Sequence, residues 1–396
     1  MLNDPQFPGI ANPNINPAMP VKGSGHMTAI KIAAGIVALL IALLLGLIVV
    51  LLIGVETGLV GLLIGLVSAT IPVPLYVILV LWIDRYESEP LGMLATAFFW
   101  GALVAVFFAF LLNTVTGLIV AALTKDVNAA EAFSAGISAP IVEEAAKAVI
   151  LFGFFFFKKD EFDGVIDGVV YAAMVGLGFA MTENIQYYGR ALLQGGGGQL
   201  TLVFIMRGML APFSHPLFTS MTGMGLGLSR QSRNGFVKVA APVLGLMLAI
   251  FMHSIWNGSA ILFGFVGFLL AYVLIMVPVF LITLVVIFLA LKREGRVVRE
   301  YLMPDYQRGL LTPQEYNQLC SVRGRMGASY NALSRGGFGH WRACMRFNQI
   351  ASELAFHRSR LARGIGAGSP DMQEREAGYL RSLEDLARRL RVPEAQ

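Results

Sequence analysis

The stretch IAAGIVALLIALLLGLIVVLLI, residues 32–53, holds only Ala, Gly, Ile, Leu and Val over 22 consecutive positions. As a helix rising 1.5 Å per residue it is roughly 33 Å long, enough to cross the roughly 30 Å hydrocarbon core of a bilayer. Similar runs recur, and the predicted spans are 28–53, 58–83, 91–123, 133–157, 164–192, 200–229, 237–257 and 267–291. The third is long enough to be kinked or broken around Asn113 and Gly117. Chain-wide, 56% of residues are apolar and 14% charged, and the mean hydropathy is +0.68, outside the range of soluble globular chains. Lipid cannot satisfy exposed backbone polar groups, so spanning segments are helices or closed barrels, and no barrel-like alternation occurs. The expected fold is all-α: a polytopic transmembrane helical bundle of about eight spans, residues 28–293, followed by a small cytoplasmic helical tail, residues 294–396.

Residues 1–27 carry five prolines and four asparagines and no basic segment ahead of a short apolar core. They are expected to be a disordered cytoplasmic leader, not a cleavable signal peptide. Orientation follows the basic residues: Lys158 and Lys159, Arg230 and Arg233, and Lys292, Arg293, Arg296 and Arg299 follow spans four, six and eight. Those loops are expected in the cytoplasm, with both termini, in a multi-pass protein of the cell membrane. Gly195–Gly198 is expected to be a flexible outside loop. From Glu294 onward 16 Arg face 11 Asp plus Glu, a balance of +5 that equals the excess of the whole chain, so the membrane region is neutral. The basic tail suits either an anionic leaflet or plain solvation. Within it, Thr312-Pro313-Gln314-Glu315 predicts a capping box, and Trp341, Met345, Ile350, Leu354 and Leu361 are roughly helically spaced. Cys320 and Cys344 lie in this part, where thiols stay reduced and no disulfide or zinc-finger spacing is supported. No nucleic-acid partner is expected.

An ionisable side chain at bilayer depth costs several kcal/mol unless it finds a partner or water. Glu143 and Glu144 lie near the middle of span four, with Lys147 one turn on, able to pair with either. Span five carries Glu183 and Asn184, span six His215, and span seven His253 with Asn257 four residues later. One such residue can be a structural link between helices; eight converging from four spans point to a site. Arg207, Asp167 and Asp84 are weaker candidates, each nearer a membrane face, where snorkelling or loop capping explains it.

Such a set can activate water: a carboxylate takes a proton, while an imidazole stabilises an oxyanion or protonates a leaving amine. The same donors could hold zinc, with His215, His253 and Glu183 as ligands and another Glu as base. The residues leave that choice open, because neither HExxH nor another soluble metalloprotease spacing occurs. Serine chemistry lacks support, since no GxSxG is present.

At these residues the chain resembles the PrsW family of intramembrane proteases, distantly related to the CAAX prenyl proteases. The matching segments are Asp84-Arg85-Tyr86-Glu87-Ser88-Glu89-Pro90, Glu143-Glu144-Ala145-Ala146-Lys147 (EExxK), Phe179-Ala180-Met181-Thr182-Glu183-Asn184, His215-Pro216-Leu217-Phe218 and His253-Ser254-Ile255-Trp256-Asn257. The resemblance implies a peptidase that cuts a peptide bond in or near a transmembrane segment. It implies Glu143, Glu144, Glu183, His215 and His253 as catalytic, with Lys147, Asn184 and Asn257 in support. In bacterial relatives the implied substrate is a single-span anti-sigma factor. Two other readings compete: an ion- or proton-coupled transporter using the same carboxylates, and a catalytically silent membrane scaffold. Against the first, no inverted repeat or matched pair of broken helices is present.

Overall fold

The computed structural model describes residues 25–362 and 371–391, and among them there is no strand. Of the leader expected at 1–27, residues 1–24 lie outside the described residues. The chain divides into two units, Met1–Leu44 and Leu45–Gln396. In the first, the opening part of helix α1 (Gly25–Thr70) presents Ile32, Ile36, Leu39 and Leu43 as exposed apolar side chains. Everything below concerns the second.

Among the described residues, four helical stretches are long and apolar enough to cross a membrane: Ile32–Ile83, Leu91–Thr124, Val165–Gln231 and Gly235–Gln307. Three of them contain reversals. Within α1, Gly58 adopts φ 67°, and a Cβ built on Gly54 would lie 3.2 Å from the Leu62 side chain. Eight residues of straight helix would separate those positions by about 12 Å, so the chain folds back at Gly58. Gly264 (φ 58°) does the same in α9 (Gly235–Ala271), where a Cβ on Gly267 would meet the Ser259 carbonyl.

After α2 (Val73–Ile83), α3 (Leu91–Phe99) passes through a π-helical turn, Trp100–Ala105, into α4 (Val106–Thr124). The irregularity expected near Asn113 and Gly117 therefore lies a few turns earlier. Its cause is a close approach: a Cβ on Gly101 would collide with the Val175 carbonyl at 2.0 Å, and Thr182 donates to the Ala102 carbonyl at 2.8 Å. Asn113 stays in regular helix, its carbonyl and Oδ1 accepting from Ser134 and Ser138 at 3.3 Å each. α5 (Val127–Phe133) is capped by Asp126, whose side chain accepts from the backbone of Asn128 and Ala129. A second π-helical turn, Ser134–Ser138, leads into α6 (Ala139–Phe157).

The centre is the pair α7 (Val165–Val203) and α8 (Ser214–Gln231). Gly168, Ala172 and Gly176 are spaced by four on one face of α7, and small residues let helix backbones approach in lipid. A Cβ on Gly168 would lie 2.1 Å from the Gly223 carbonyl, and one on Gly176 2.6 Å from the Pro216 nitrogen. The expected loop at Gly195–Gly198 coincides with a break in helical geometry at Gly195 and Gly196 (φ 63°), across which Arg207 folds back onto Glu183.

α10 (Val277–Gln307) runs unbroken through the composition change at Glu294. α11 (Pro313–Leu319) starts with the predicted capping box: Thr312 accepts from the Glu315 amide at 3.2 Å, and Glu315 from the Thr312 amide at 2.8 Å. α12 (Val322–Ala362) and α13 (Asp371–Arg391) follow. Ile350 and Leu354 on α12 are buried as expected, whereas Met345 is exposed. One apolar cluster joins Tyr86, Phe162 and Tyr171 to Leu302, Phe347 and Leu354. Buried Arg325 donates to the carbonyls of Leu319 and Arg85 and to Ser352, and its guanidinium lies over the Tyr86 ring.

Candidate active site

α6 is nineteen residues long and carries three ionisable side chains, Glu143, Glu144 and Lys147, all buried. Trp100 braces it by donating to the Ala146 carbonyl at 2.9 Å. Lys147 is wholly enclosed, with its ammonium 3.8 Å above the Phe179 ring. That ammonium lies 2.9 Å from Glu144 Oε1, 3.5 Å from Glu143 Oε2 and 3.0 Å from His215 Nδ1. One cation thus joins α6 to the start of α8.

The adjacent glutamates differ. Glu144 Oε1 accepts from Lys147 and from His253 Nδ1 at 3.1 Å, and its Oε2 accepts from Thr219 at 2.9 Å, so three donors hold it. Glu143 Oε2 is buried with no hydrogen bond. Its nearest imidazole atom is His253 Nε2, 3.8 Å away.

The hydrogen positions follow from these partners. An ammonium only donates, so Lys147 makes His215 Nδ1 an acceptor, and Nε2–H then donates to Glu183 Oε2 at 2.8 Å. A carboxylate only accepts, so His253 Nδ1–H points to Glu144, which leaves Nε2 bare. Glu143 Oε2, ion-paired at 3.5 Å with Lys147, and His253 Nε2 therefore both lack a hydrogen bond and face one small space. The imidazoles stand edge to face, 5.1 Å apart, and Phe218 stacks on His253 at 4.9 Å.

Glu183 also accepts from Arg207, whose Nε donates to Asn184 Oδ1 at 2.7 Å and whose guanidinium covers the Tyr187 ring. Asn257 is apart from both imidazoles in hydrogen bonding, donating to the Ala135 carbonyl at 3.0 Å. Six of the eight expected residues, Glu143, Glu144, Lys147, Glu183, His215 and His253, form one continuous network; Asn184 joins through Arg207, and Asn257 frames its edge. Two members lie outside the expected eight: Thr219, which is not singled out by sequence, and Arg207, a weaker candidate expected near a membrane face. Thr219 lies one turn after His215 on the same face, a spacing visible in the sequence. Arg207 sits in the π-helical turn Phe204–Leu210, which straight-helix depth counting does not foresee.

Two cavities flank the network. Glu143, Glu183, Thr182 and Gln186 line one of about 580 Å³. His215, Arg207, Asn184 and Asn257 line another of about 330 Å³. Ala135 and Tyr187 border both.

The sequence model of the PrsW-protease family, described as PrsW family intramembrane metalloprotease, matches residues 89–283, which include all eight residues. The chain is 32% identical over 179 residues to Protease PrsW of Geobacillus kaustophilus, covering 44% of this chain and 69% of the relative. It is 30% identical over 179 residues to Protease PrsW of Bacillus subtilis, covering 44% and 71%. The chain belongs to the PrsW family. It is accordingly a membrane-embedded peptidase. A further relative, Protease PrsW of Oceanobacillus iheyensis, is 29% identical over 218 residues, 55% of this chain and 92% of the relative. No solved structure matches.

The family description names a metal, and the donors fit one. Glu143, His215 and His253, all buried, each offer a ligand atom within 4.8 Å of the others. The unbonded Glu143 Oε2 agrees with that donor set. The sequence-based set had Glu183 where the converging atoms have Glu143; Glu183 is engaged by Arg207 and His215. Lys147 already contacts Glu143 and His215, so a metal and this ammonium would compete for the same donors.

Proposed function

We propose that the chain hydrolyses a peptide bond in or near the transmembrane segment of a single-span, anti-sigma-factor-like membrane protein, with Glu143 as general base. The observation that carries this reading is the unbonded, buried Glu143 Oε2 beside the bare Nε2 of His253. A water molecule donating one hydrogen to each is held with its oxygen lone pairs free to attack a carbonyl carbon. Glu143 takes the proton as the carbon–oxygen bond forms and returns it to the leaving amine as the carbon–nitrogen bond breaks. Glu144, fixed by Lys147 and Thr219, orients His253 through its Nδ1–H. Glu183 and Arg207 hold His215, and Lys147 supplies positive charge near the developing oxyanion. Asn257, Arg207 and Asn184 are positioned to receive substrate backbone from the smaller cavity. A divalent metal, zinc included, held by Glu143, His215 and His253 would polarise the scissile carbonyl and acidify bound water.

Replacing Glu143 tests this reading. Cleavage of a single-span reporter by Glu143→Gln is expected to fall by about 10²–10⁴-fold with normal accumulation in the membrane; wild-type cleavage would remove Glu143 from the role. Exhaustive chelation with elemental analysis of the same sample tests the metal. The competition from Lys147 favours activity that survives chelation, and loss restored by zinc would reverse that preference. We also propose eight crossings of the cell membrane with both termini in the cytoplasm, supported by the reversals at Gly58 and Gly264 and by the basic residues after spans four, six and eight. Reporter fusions after residues 160, 233 and 300 should report cytoplasm, and those after 127, 197 and 262 the outside; a cytoplasmic signal at 197 would overturn this topology.

A further inference from the structure

A cavity of about 880 Å³ lies between the end of α2 and helices α12 and α13, and none of its lining residues falls within the family-matched segment 89–283. Its size suits a phospholipid headgroup with its glycerol. One wall is apolar and belongs to the membrane end of the molecule: Leu81 and Trp82 are exposed on the last turn of α2. Tryptophan at the end of a span marks the interface between hydrocarbon and headgroups. Arg85 stacks on the Trp82 ring at 4.0 Å and donates to its carbonyl, so a guanidinium is fixed just beyond that level.

The facing wall is basic. Arg342 and Arg346, four residues apart on one face of α12, are exposed and make no hydrogen bond or ion pair among the described residues. Among the other tail arginines, Arg358 pairs with Asp305 and Glu376, Arg360 with Glu87 and Arg391 with Glu315. Arg381 and Arg388 on α13 are also exposed without an ion pair among the described residues but do not line this cavity. Arg389, paired with Asp385, closes the rim, and Arg325 forms part of the lining. Unpaired guanidiniums opposite an interfacial apolar wall match a ligand with phosphate oxygens at one end and acyl chains at the other. The single acid lining the cavity is Asp84. Burial pushes its carboxyl up to about 8, despite the Glu89 amide that donates to it, so at neutral pH it is mostly uncharged and does not repel a phosphate.

We propose that this cavity binds the headgroup of an anionic membrane phospholipid, with phosphate on Arg342 and Arg346 and acyl chains leaving along Leu81 and Trp82. The bound lipid ties the tail to the inner leaflet.

The test uses the full-length protein in nanodiscs of phosphatidylcholine, with and without phosphatidylglycerol, scored by phosphatidylglycerol retained in native mass spectrometry and by the thermal midpoint. Arg342→Gln/Arg346→Gln is expected to retain about tenfold less phosphatidylglycerol, with an unchanged midpoint in pure phosphatidylcholine, because neither side chain has a protein partner. Arg381→Gln/Arg388→Gln removes the same charge from exposed positions of α13 outside the cavity and should retain the wild-type amount. Equal loss in both variants would mean diffuse attraction and overturn the site. If inorganic phosphate raises the wild-type midpoint as much as phosphatidylglycerol does, the ligand is a free anion and the lipid assignment fails.

Discussion

Two buried groups of acids accommodate their charge in opposite ways. In the network of α6, α7 and α8, Glu143, Glu144 and Glu183 are met by Lys147 and Arg207 and by two imidazoles. At the turn between α2 and α3, Asp84 and Glu89 are equally buried, yet their bonds come from neutral donors: the Glu89 amide to Asp84, and the Tyr171 hydroxyl to Glu89. Burial and the neighbouring acids push the Glu89 carboxyl up to about 11 and the Asp84 carboxyl to about 8. The first group sets cations and imidazoles against its acids; the second keeps its shape by holding protons.

Three substitutions can break that contrast. The largest effect is expected at Glu144, where Glu144→Gln leaves Lys147 and His253 without their shared anion. Breaking a buried pair costs about 3–5 kcal/mol, so accumulation in the membrane should fall sharply beside Glu143→Gln, measured by immunoblot of membranes. Comparable levels of the two would show that the three donors to Glu144 do not stabilise it. An intermediate effect is expected for Arg207→Met, which strands the partly exposed Glu183 and should cost about 1–2 kcal/mol. The double variant Glu183→Gln/Arg207→Met should recover the thermal midpoint in detergent but not cleavage; recovery of neither would mean that the pair does not account for the loss.

The smallest effect is expected at Glu89. A carboxyl raised above its unfolded value contributes stability that is present at low pH and lost as pH rises through the folded value. Asp84 therefore predicts a thermal midpoint that begins to decline at about pH 4, where the unfolded carboxyl ionises, and levels off above about pH 8, and Glu89 extends the decline toward about pH 11. Glu89→Gln keeps an acceptor for Tyr171 and should match wild type below about pH 4 while losing less as pH rises. A variant as alkali-sensitive as wild type would show that Glu89 does not contribute to the decline.

Much of the site was legible because lipid makes charge conspicuous. Glu143, Glu144, Lys147, Glu183, His215 and His253 stand out as ionisable groups inside apolar runs, and one network contains them all. Less legible was anything set by local departures from a straight helix. Arg207 counts as interfacial if its helix is regular, yet it lies in the π-helical turn Phe204–Leu210 and, across the reversal at Gly196, pairs with Glu183. The different partners of Glu143 and Glu144 depend on Thr219, a residue with no charge to draw attention. The fold was legible as all-helical, since composition decides that. The reversals at Gly58 and Gly264 fall at the predicted span boundaries, beside Glu56-Thr57 and in the stretch that follows Asn257-Gly258-Ser259.

The 3.8 Å between Glu143 Oε2 and His253 Nε2 also bears on access. On the proposed mechanism a water bridges the two atoms from beside the line that joins them, and both residues are buried, so a folded substrate helix does not reach it. On that reading a substrate meets the water only when α6 and α9 part and the substrate segment is locally unwound. Turnover is then expected to follow the waiting time for that joint opening rather than the speed of the proton transfer. Selection among membrane proteins would accordingly rest on how readily a span loses its helical turns near the scissile bond, more than on the identity of any one side chain.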